Sequence, residues 1–403
     1  MNVGKKVPEI RFKGFEGEWK LFSLGELGAV ATNKRIFIHQ TSLIGDVPFY
    51  KIGTFGREPK LFISQELFED YKKRYPFPEK GDLLFSVIGS IGRVVEYTGE
   101  DEYFQDSNVV WLKHDGAIVN SFLKQFYSIV EWEGIEGSTI KHLYNRTILE
   151  TKIQIPSKQE QTQIGNTFQK LDSLINQHQQ KHDKLSNIKK AMLEKLFPKQ
   201  GETIPEIRFK GFSGEWEESN LEQCTDLLTG NPFNSKEFTS EGFFLVRGMN
   251  VKRGCLDSSP EISEFWPSSK GLERYLLEPE DIVVQMDGAL IGKSYAKIKS
   301  SNLPAILVQR VTRIRCSEVN SEFIYQYIQK DFLKHISGIK TETAVPHLSL
   351  HDIRAFSIFL PEIAEQNAIG NYFQKLDVLI NQHQQQITKL NNIKQACLSK
   401  MFV

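Results

Sequence analysis

The sequence predicts a mixed α/β protein in which two similar domains are joined by two long helices that form an antiparallel coiled coil, with a pseudo-twofold internal repeat. Three observations predict this fold class. The 403-residue chain contains one long helical pattern twice, at 160–197 and 365–402. An opening segment that contains Pro-Glu-Ile-Arg-Phe-Lys-Gly-Phe also occurs twice, at 7–20 and 204–217. Each opening segment is followed by a stretch of mixed strand and helix character.

The two long helices are predicted from apolar positions that recur in alternating steps of four and three residues. Steps that average 3.5 residues are typical of a coiled-coil seam, and the outward positions carry Gln, Asn, Lys and Ser. We expect His178 with its repeat counterpart His383, and Lys189 with Lys394, to be polar members that fix the register. The predicted coiled-coil interface residues are Ile164, Phe168, Leu171, Ile175 and Leu185 in the first helix and Ile369, Phe373, Leu376, Ile380 and Leu390 in the second.

Proline residues mark the predicted domain boundaries. Pro156 and Pro361 each follow a short β-type run and precede a helix, and a Pro/Gly-containing linker at 198–205 separates the first helix from the second domain. The predicted division is 1–155 for the first domain, 156–200 for the first helical spacer, 201–359 for the second domain and 360–403 for the second helical spacer.

The direction of helix pairing follows from these boundaries. The second domain begins just after one helix ends and finishes where the other begins. A helix of this length spans roughly 57 Å, whereas the domain is about 40 Å across. Antiparallel pairing places both ends of the domain at one end of the coil. By the internal repeat, residues 7–20 should then lie near the C-terminal end of the second helix.

The two domains share short motifs in the same order around divergent sequence. GDLLFSVIGSIGR at 81–93 parallels EDIVVQMDGALIGK at 280–293, and both predict a buried strand followed by a glycine turn. Two further pairs follow, VNSFLKQFY with VNSEFIYQY as predicted helices and TIKHL at 139–143 with TAVPHL at 343–348. A period of about half the chain indicates a duplicated domain rather than a solenoid.

Three short motifs resemble catalytic sites, and each is better interpreted as ordinary structure. Gly288–Ser294 is one residue short of a phosphate-binding P-loop, whose backbone N–H groups depend on loop length, so we expect a β-turn. Asn231-Pro232-Phe233 lacks the second proline of an amino-methyltransferase loop and a preceding glycine-rich strand. Glu58-Pro59-Lys60 has no fixed acidic partner and is expected to lie on the surface. We predict no catalytic residues.

Composition gives no metal site and no membrane segment. The four cysteines have neither Cys-x-x-Cys spacing nor a nearby histidine partner, so they are predicted to be reduced thiols in a cytoplasmic protein. The N-terminus lacks an apolar signal core, and no apolar run is long enough to span a membrane. Lys plus Arg equals Asp plus Glu at 50 each, so any nucleic-acid surface must be local.

Basic and small polar residues inside the divergent stretches are the candidate DNA-binding residues. Arg and Lys neutralise phosphates, and Arg can also bind base edges with two hydrogen bonds. Taken singly, a residue of this kind is more often a solvated surface charge than a DNA contact. The candidates are Lys34, Arg35, Arg57, Lys72, Lys73, Arg74, Ser90 and Arg93 in the first domain, and Lys236, Arg247, Lys252, Arg253, Lys293, Arg310 and Arg313 in the second.

With these motifs in place, the whole chain resembles the specificity subunit of a type I restriction–modification system. The resemblance rests on the duplicated helices, on the strand–glycine turns, and on an apolar-Pro motif followed by a helical Gln and Ile. That motif runs from Ile155-Pro156 to Gln161 and Ile164, and again from Leu360-Pro361 to Gln366 and Ile369.

The resemblance implies a non-catalytic subunit that reads a bipartite target in double-stranded DNA, one half with each target-recognition domain. It also implies two modification subunits that methylate adenine, and restriction subunits that are ATP-dependent. S-adenosylmethionine, ATP and Mg are expected on those partner subunits, and no cofactor is expected on this chain. The alternative is a structural adaptor that carries two binding domains on a coiled-coil strut and does not bind DNA.

Overall fold

The computed structural model describes residues 6–133, 135, 141–288, 290–337 and 347–402. It contains two compact units, one formed by Met1–Gln179 with Gln385–Val403 and the other by Gln180–Gln384. Each unit thus combines one predicted domain with part of each long helix. The finer four-part division drawn from the sequence stays a prediction. Of the repeated His-Leu motifs, residues 139, 140 and 343–346 lie outside the described residues.

The first unit is built from short strands and helices that precede the long helix. Its strands are β1 Lys20–Ser23, β2 Gly28–Ala31, β3 Val47–Tyr50, β4 Leu61–Ile63, β5 Leu83–Ser86, β6 Val94–Glu96, β7 Tyr103–Phe104, β8 Val109–His114 and β9 Lys152–Ile155. Its helices are α1 Leu24–Leu27, α2 Gln65–Arg74, α3 Asn120–Ile129, α4 Asn145–Glu150 and the start of α5 Lys158–Lys195. A capping box between Ser23 and Glu26 starts α1.

The second unit repeats the strands of the first, but between β13 and β14 it has a 3-10 turn, Glu273–Tyr275, where the first unit has α2. Its strands are β10 Glu217–Asn220, β11 Asp226–Thr229, β12 Phe243–Val246, β13 Phe265–Trp266, β14 Ile282–Gln285, β15 Tyr295–Lys297, β16 Ala305–Leu307, β17 Val311–Arg315 and β18 Ser357–Leu360. Its helices are α6 Leu221–Cys224, α7 Ser321–Tyr327, α8 Leu333–Ser337, α9 Leu350–Arg354 and part of α10 Ile363–Met401. Asn220 and Gln223 form the capping box of α6, at the position that Ser23 and Glu26 hold in the first unit.

The sheets of the two units have the same strand order. The first unit contains a four-stranded sheet β2-β8-β5-β6, a three-stranded sheet β4-β3-β7 and the pair β1-β9. The second contains β11-β17-β14-β15, β13-β12-β16 and β10-β18. In each three-stranded sheet one pairing is parallel, β3 with β7 and β12 with β16. The predicted mixed α/β class and internal repeat are therefore confirmed.

Within each unit the two long helices run antiparallel, as predicted. In the first unit Phe168 of α5 packs against Phe402, and further along α5 Asp172 binds Lys394, which lies earlier in the chain than Phe402. In the second unit Lys189 binds Asp377 at 2.7 Å, while Phe197, just after α5, packs against Phe373. The polar members Lys189 and Lys394 are thus each bound to an aspartate of the other helix.

The predicted seam residues are all turned away from solvent to some degree. Fully buried are Ile164, Phe168, Ile369, Phe373 and Leu376, and half-buried are Leu171, Ile175, Leu185, Ile380 and Leu390. The two aromatic rings that follow or end the helices lie in equivalent places. Phe402 packs on Phe122 and Trp19 in the first unit, and Phe197 packs on Phe323 and Trp216 in the second.

Each opening segment is fixed to a long helix by a buried ion pair. Arg11 donates two hydrogen bonds of 2.7 Å to Glu160, and Arg208 makes the same bidentate contact with Glu365. As predicted, the first opening segment also lies beside the C-terminal helix, because the Ile10 amide donates to the Lys400 carbonyl at 3.0 Å.

The repeated glutamine that follows each apolar-Pro motif ties the long helix to its domain. The Gln161 amide donates to the Pro156 carbonyl at 3.0 Å, and its oxygen accepts from the Val119 amide at 2.9 Å. Gln366 bonds Pro361 and the Asn320 amide in the same way. Gly165 is needed at this contact, since a Cβ there would clash with Ser121 at the start of α3.

Candidate nucleic-acid interface

In each unit, three segments meet at the end of one inner strand of the four-stranded sheet. This strand is β5 in the first unit and β14 in the second. In the first unit the Val87 amide, just after β5, donates to Asn108 at 3.0 Å, and the Val87 carbonyl accepts from the Leu143 amide at 2.8 Å. In the second unit Met286 holds the same place. Its amide donates to Arg310 at 2.9 Å and its carbonyl accepts from Leu348 at 2.7 Å. Backbone hydrogen bonds therefore build the same loop cluster twice.

The glycine turn after this inner strand is part of this cluster. In the first unit the Ser86 amide donates to the Arg93 carbonyl at 3.0 Å and closes the turn, in which Gly89 and Gly92 have φ of 72° and 79°. These left-handed values favour glycine over any residue with a Cβ. In the second unit the Gln285 amide donates to Ser294 at 3.1 Å, and β15 follows at once. The described residues of the segment that resembled a P-loop thus lie between two antiparallel strands, β14 and β15.

A fourth segment joins the cluster from the three-stranded sheet. In the first unit it follows β3, and the Ile52 amide donates to the Gln105 side chain at 3.0 Å. Arg93 donates from its guanidinium to the Phe55 carbonyl at 3.0 Å, which holds the glycine turn against this segment. In the second unit the corresponding segment follows β12, and the Gly254 amide donates to the Tyr295 carbonyl at 2.8 Å.

Several predicted site residues lie together on these segments. In the first unit Arg57 and Ser90 are exposed, and Arg93 is half-buried through its bond to Phe55. In the second unit Arg253, Lys293 and Arg310 are exposed and Lys252 is half-buried. Arg310 also binds Asp287 of the glycine turn at 3.1 Å. The same backbone scaffold therefore presents cationic groups in both units, with different side chains at corresponding places.

A cavity of about 530 Å³ opens beside the fourth segment of the first unit. Tyr50 and Phe104 stack in its wall at 5.6 Å, and the Tyr50 hydroxyl donates to Glu102 at 3.3 Å. Burial raises the pKa of Tyr50 to about 12 and also raises the pKa of Glu102. Carboxylates here repel phosphates but can accept a hydrogen bond from a base amino group. Arg57 lines the same cavity, so its wall carries charges of both signs.

Known proteins resemble this chain in sequence and in fold. The sequence model of the type I restriction modification DNA specificity domain matches residues 16–187 and 213–392, one match in each half of the chain. The chain belongs to this family.

Individual relatives are consistent with the family assignment. A specificity subunit of a putative type I restriction enzyme from Haemophilus influenzae is 48% identical over 158 residues, which are 39% of this chain and 41% of that protein. The MjaVIII specificity subunit from Methanocaldococcus jannaschii is 25% identical over 73% of this chain and 72% of its own length. The first alignment thus covers less than half of the relative.

One solved structure shares the fold along nearly the whole chain. The S subunit of the type I restriction–modification system of M. genitalium aligns with a TM-score of 0.70 at 17% identity, covering 98% of this chain and 99% of that one. At this identity the match supports the fold alone. In the described part of this specificity-family chain, no helix is long and apolar enough to cross a membrane, and no cluster of three or more metal-binding side chains occurs.

Another group of predicted residues lies on α2 and on the loop that follows β2. Arg35 binds Asp106 at 2.8 Å, which places it beside the loop that contains Asn108. Lys34 lies over the Tyr75 ring at 4.9 Å, and Arg74 lies over the same ring at 5.6 Å. Lys72 binds Asp101 at 3.5 Å, and Lys73 is exposed on the same helix. All five residues can reach solvent, but only Arg35 contacts the loop cluster.

Three predictions in the second domain need separate treatment. Arg313 is only 4% exposed, and its guanidinium binds Asp226 and the Arg274 carbonyl. The buried and bonded guanidinium stabilises the sheet, and the DNA-binding role of Arg313 stays a prediction. Arg247 lies over Phe238 and donates from its guanidinium to the Ile262 carbonyl, so part of its hydrogen-bonding capacity is used internally. Lys236 is exposed on a 3-10 turn away from the contacts described above.

Sequence reasoning missed the loop that precedes β8, and in its counterpart before β17 it selected only Arg310. Gln105 and Asp106 bind two other segments of the cluster, and Ser107 has φ of 59°. In the second unit Arg310, whose carbonyl accepts from Met286 as that of Asn108 does from Val87, has φ of 66°. A positive φ outside glycine is uncommon, and here it turns the chain at the loop cluster. Ser107 and Arg310 differ chemically and are not at equivalent positions, so a search for repeated letters could not have linked the two loops.

Proposed function

We propose that this chain reads a bipartite duplex DNA target, with one half-site bound by each domain. The observation that carries the proposal is the duplicated loop cluster, in which four segments meet on one backbone plan but present different exposed side chains. A repeated scaffold explains why both units bind the same kind of ligand. Different side chains on it explain how the two half-sites can differ in sequence.

The chain itself supplies recognition, and its partners supply the chemistry. We expect two modification subunits that methylate adenine with S-adenosylmethionine, and restriction subunits that use ATP and Mg. Family membership supports this assignment. A structural adaptor that does not bind DNA is the competing function. Exposed cations in both loop clusters favour DNA, because neutralising phosphates is the main source of affinity for a duplex.

A salt titration of the complex with its modification subunits tests DNA binding. Arg57→Ala and Arg253→Ala should each lower the slope of log affinity against log salt by about 0.9, the contribution of one phosphate contact. Arg146→Ala is the matched control, since Arg146 is 86% exposed but binds Glu150 on α4. Equal slopes for all three variants would contradict the interface. A complex that binds no duplex would favour the adaptor.

A chimera tests the assignment of one half-site to each domain. Residues 21–150 are exchanged for the corresponding stretch of another family member, and methylated adenines are mapped in cells that carry the chimera with its partners. We expect one half of the methylated motif to change and the other to be retained. A change in both halves would refute independent recognition.

A further inference from the structure

The loop between β2 and β3 of the first unit presents large apolar side chains to solvent. Ile44 is 89% exposed, Leu43 78%, Ile38 71% and Phe37 52%. Among the large apolar side chains that the structure describes, the first three are the most exposed. Isolated exposed apolar residues are ordinary, but a cluster on one short loop marks a contact surface. We call residues 37–44 the apolar tip.

The backbone of the apolar tip is fixed by hydrogen bonds. Ser42 and Phe62 exchange two backbone hydrogen bonds of 2.9 Å, which attach the tip to β4. The Phe37 amide donates to the Gln40 side chain at 2.9 Å, and Ser42 Oγ donates to the Ile44 carbonyl at 2.6 Å. Ile36, just before the tip, packs on the core. The exposed side chains are therefore held outward by an ordered loop.

The second unit has no such tip on its corresponding loop. Between β11 and β12, Phe233 packs on Trp266 with ring centroids 4.8 Å apart, and Phe238 lies under the Arg247 guanidinium. Both phenylalanines are half-buried in the local core. The fold therefore does not require apolar side chains to be exposed here. Their exposure in the first unit indicates that this loop contacts a ligand through apolar side chains, which the corresponding loop of the second unit does not do.

The apolar tip leaves directly from the candidate interface. Thr32 Oγ1 accepts from the Ser107 amide and donates to the Val109 carbonyl, both at 3.0 Å. Arg35 binds Asp106 in the same loop. Two cations, Lys34 and Arg35, thus lie between the loop cluster and the tip. At the other end Asp46 accepts from the Gln65 amide at the start of α2. This basic approach favours DNA over an apolar protein surface as the ligand.

We propose that the apolar tip is a wedge that enters the minor groove of the first half-site and unstacks one base-pair step. Leu43 and Ile44 are the inserted side chains, and Lys34 and Arg35 bind the flanking phosphates. Inserted Leu and Ile side chains kink a duplex by roughly 20–90° toward the major groove. Pyrimidine–purine steps unstack most easily, so the first half-site should contain a TA or CA/TG step at the wedge. The inference rests on the proposed function and adds DNA deformation to it.

The test uses the full chain assembled with its modification subunits and a duplex that carries the methylation-mapped target. Energy transfer between dyes at the duplex ends measures bending, and 2-aminopurine at successive adenines reports unstacking. Leu43→Ser with Ile44→Ser should abolish both signals at the first half-site and weaken binding by about tenfold, since wedge contacts offset the unstacking cost. Ile38→Ser, also in the apolar tip, is a second variant for the same two measurements. Ile204→Ser is the control, because Ile204 is 48% exposed in the second opening segment.

A mismatch at the unstacked step sharpens the test. A mismatch lowers the cost of unstacking, so wild type should bind the mismatched duplex about tenfold tighter than the matched one, while the double variant gains little. Bending and 2-aminopurine signals that survive in the double variant would overturn the wedge. Loss of the modification subunits from the double variant would also overturn the wedge, because the apolar tip would then contact protein. A wild-type complex that binds no duplex overturns the proposed function as well.

Discussion

Breaking the buried ion pair between Arg11 and Glu160 should cost far more stability than breaking an ion pair on the surface. Both hydrogen bonds are 2.7 Å long, Glu160 is 1% exposed, and the Arg11 side chain is 14% exposed. Arg11 also donates to the Gly17 carbonyl at 2.6 Å. One guanidinium therefore fixes the fold of the opening segment and attaches it to α5.

The perturbation we choose is Glu160→Gln, which keeps the shape of the side chain and removes its charge. Arg11 then loses its counter-charge in a site with little access to water. Breaking a buried pair in this way costs 3–5 kcal/mol, and the residual exposure of Arg11 favours the lower end, about 3 kcal/mol. For a unit of this size about 1 kcal/mol lowers Tm by 2–4 °C, so the expected decrease is roughly 6–12 °C.

Differential scanning calorimetry of the full chain measures this decrease. Glu150→Gln is the matched control, because Glu150 pairs with Arg146 on the surface, where such a pair contributes about 0.5 kcal/mol or less. Replacing both Arg11 and Glu160 by Met should restore most of the lost stability, because no buried charge is then left unpaired. A decrease for Glu160→Gln no larger than that for Glu150→Gln would refute the reasoning.

Three further predictions follow from local contacts and from the helices. Gly165→Ala should destabilise the first unit by about 1–3 kcal/mol, because the new Cβ meets Ser121. Gly53→Ala is the control and should cost less than about 1 kcal/mol, because open space surrounds Gly53. Urea unfolding measures both free energies. Burial raises the pKa of the Cys316 thiol to about 12, so at about pH 8 iodoacetamide should modify exposed Cys255 at least about tenfold faster, as mass spectrometry will show. Inserting four matched residues in each long helix, about 6 Å, should change the number of unread base pairs in the methylated motif and leave the read bases unchanged.

The sequence was sufficient for features that depend on neighbouring residues. The seam positions repeat within one helix, and the glycine turns follow from two glycines after an apolar strand. The duplication was visible because the opening segment and the long helix are nearly identical in the two halves. Trp19 and Phe168, for example, belong to the core, and their counterparts Trp216 and Phe373 do as well.

Features that depend on distant partners could not be read from the sequence. Arg313 looks like any other basic residue until its partner Asp226, far away in the chain, is brought beside it. The same holds for Arg11 and Glu160, which are 149 positions apart. The strand order of the sheets, and with it the meeting of four loops at Val87 and Met286, also arises from long-range pairing. Candidate site residues could therefore be proposed by type but not sorted by exposure.

The final prediction concerns a fragment of residues 1–200, which contains one opening segment, one domain and α5. Asp172 and Lys189 lie on this one helix. In the full chain Asp172 binds Lys394, the repeat counterpart of Lys189, and Lys189 binds Asp377, the repeat counterpart of Asp172. A second copy of α5 can therefore supply both ion pairs. It can also supply Phe197 to the place that Phe402 fills between Trp19 and Phe122. The fragment should form a twofold homodimer through self-complementary contacts.

One seam position makes this homodimer weaker than the natural pairing. Ile387 is 6% exposed, and the fragment offers His182 at the corresponding place, so the one buried isoleucine of the natural pairing is replaced by a second histidine. Burial of an isoleucine contributes about 1.5–3 kcal/mol, and His182→Ile should therefore tighten the dimer by at least about tenfold. Light scattering across a dilution series measures both proteins. Assembled with the modification partner, the dimer should methylate a split palindrome built from the first half-site. A fragment that stays monomeric at tens of micromolar, or one that His182→Ile does not tighten, would show that the repeated seam does not determine the pairing.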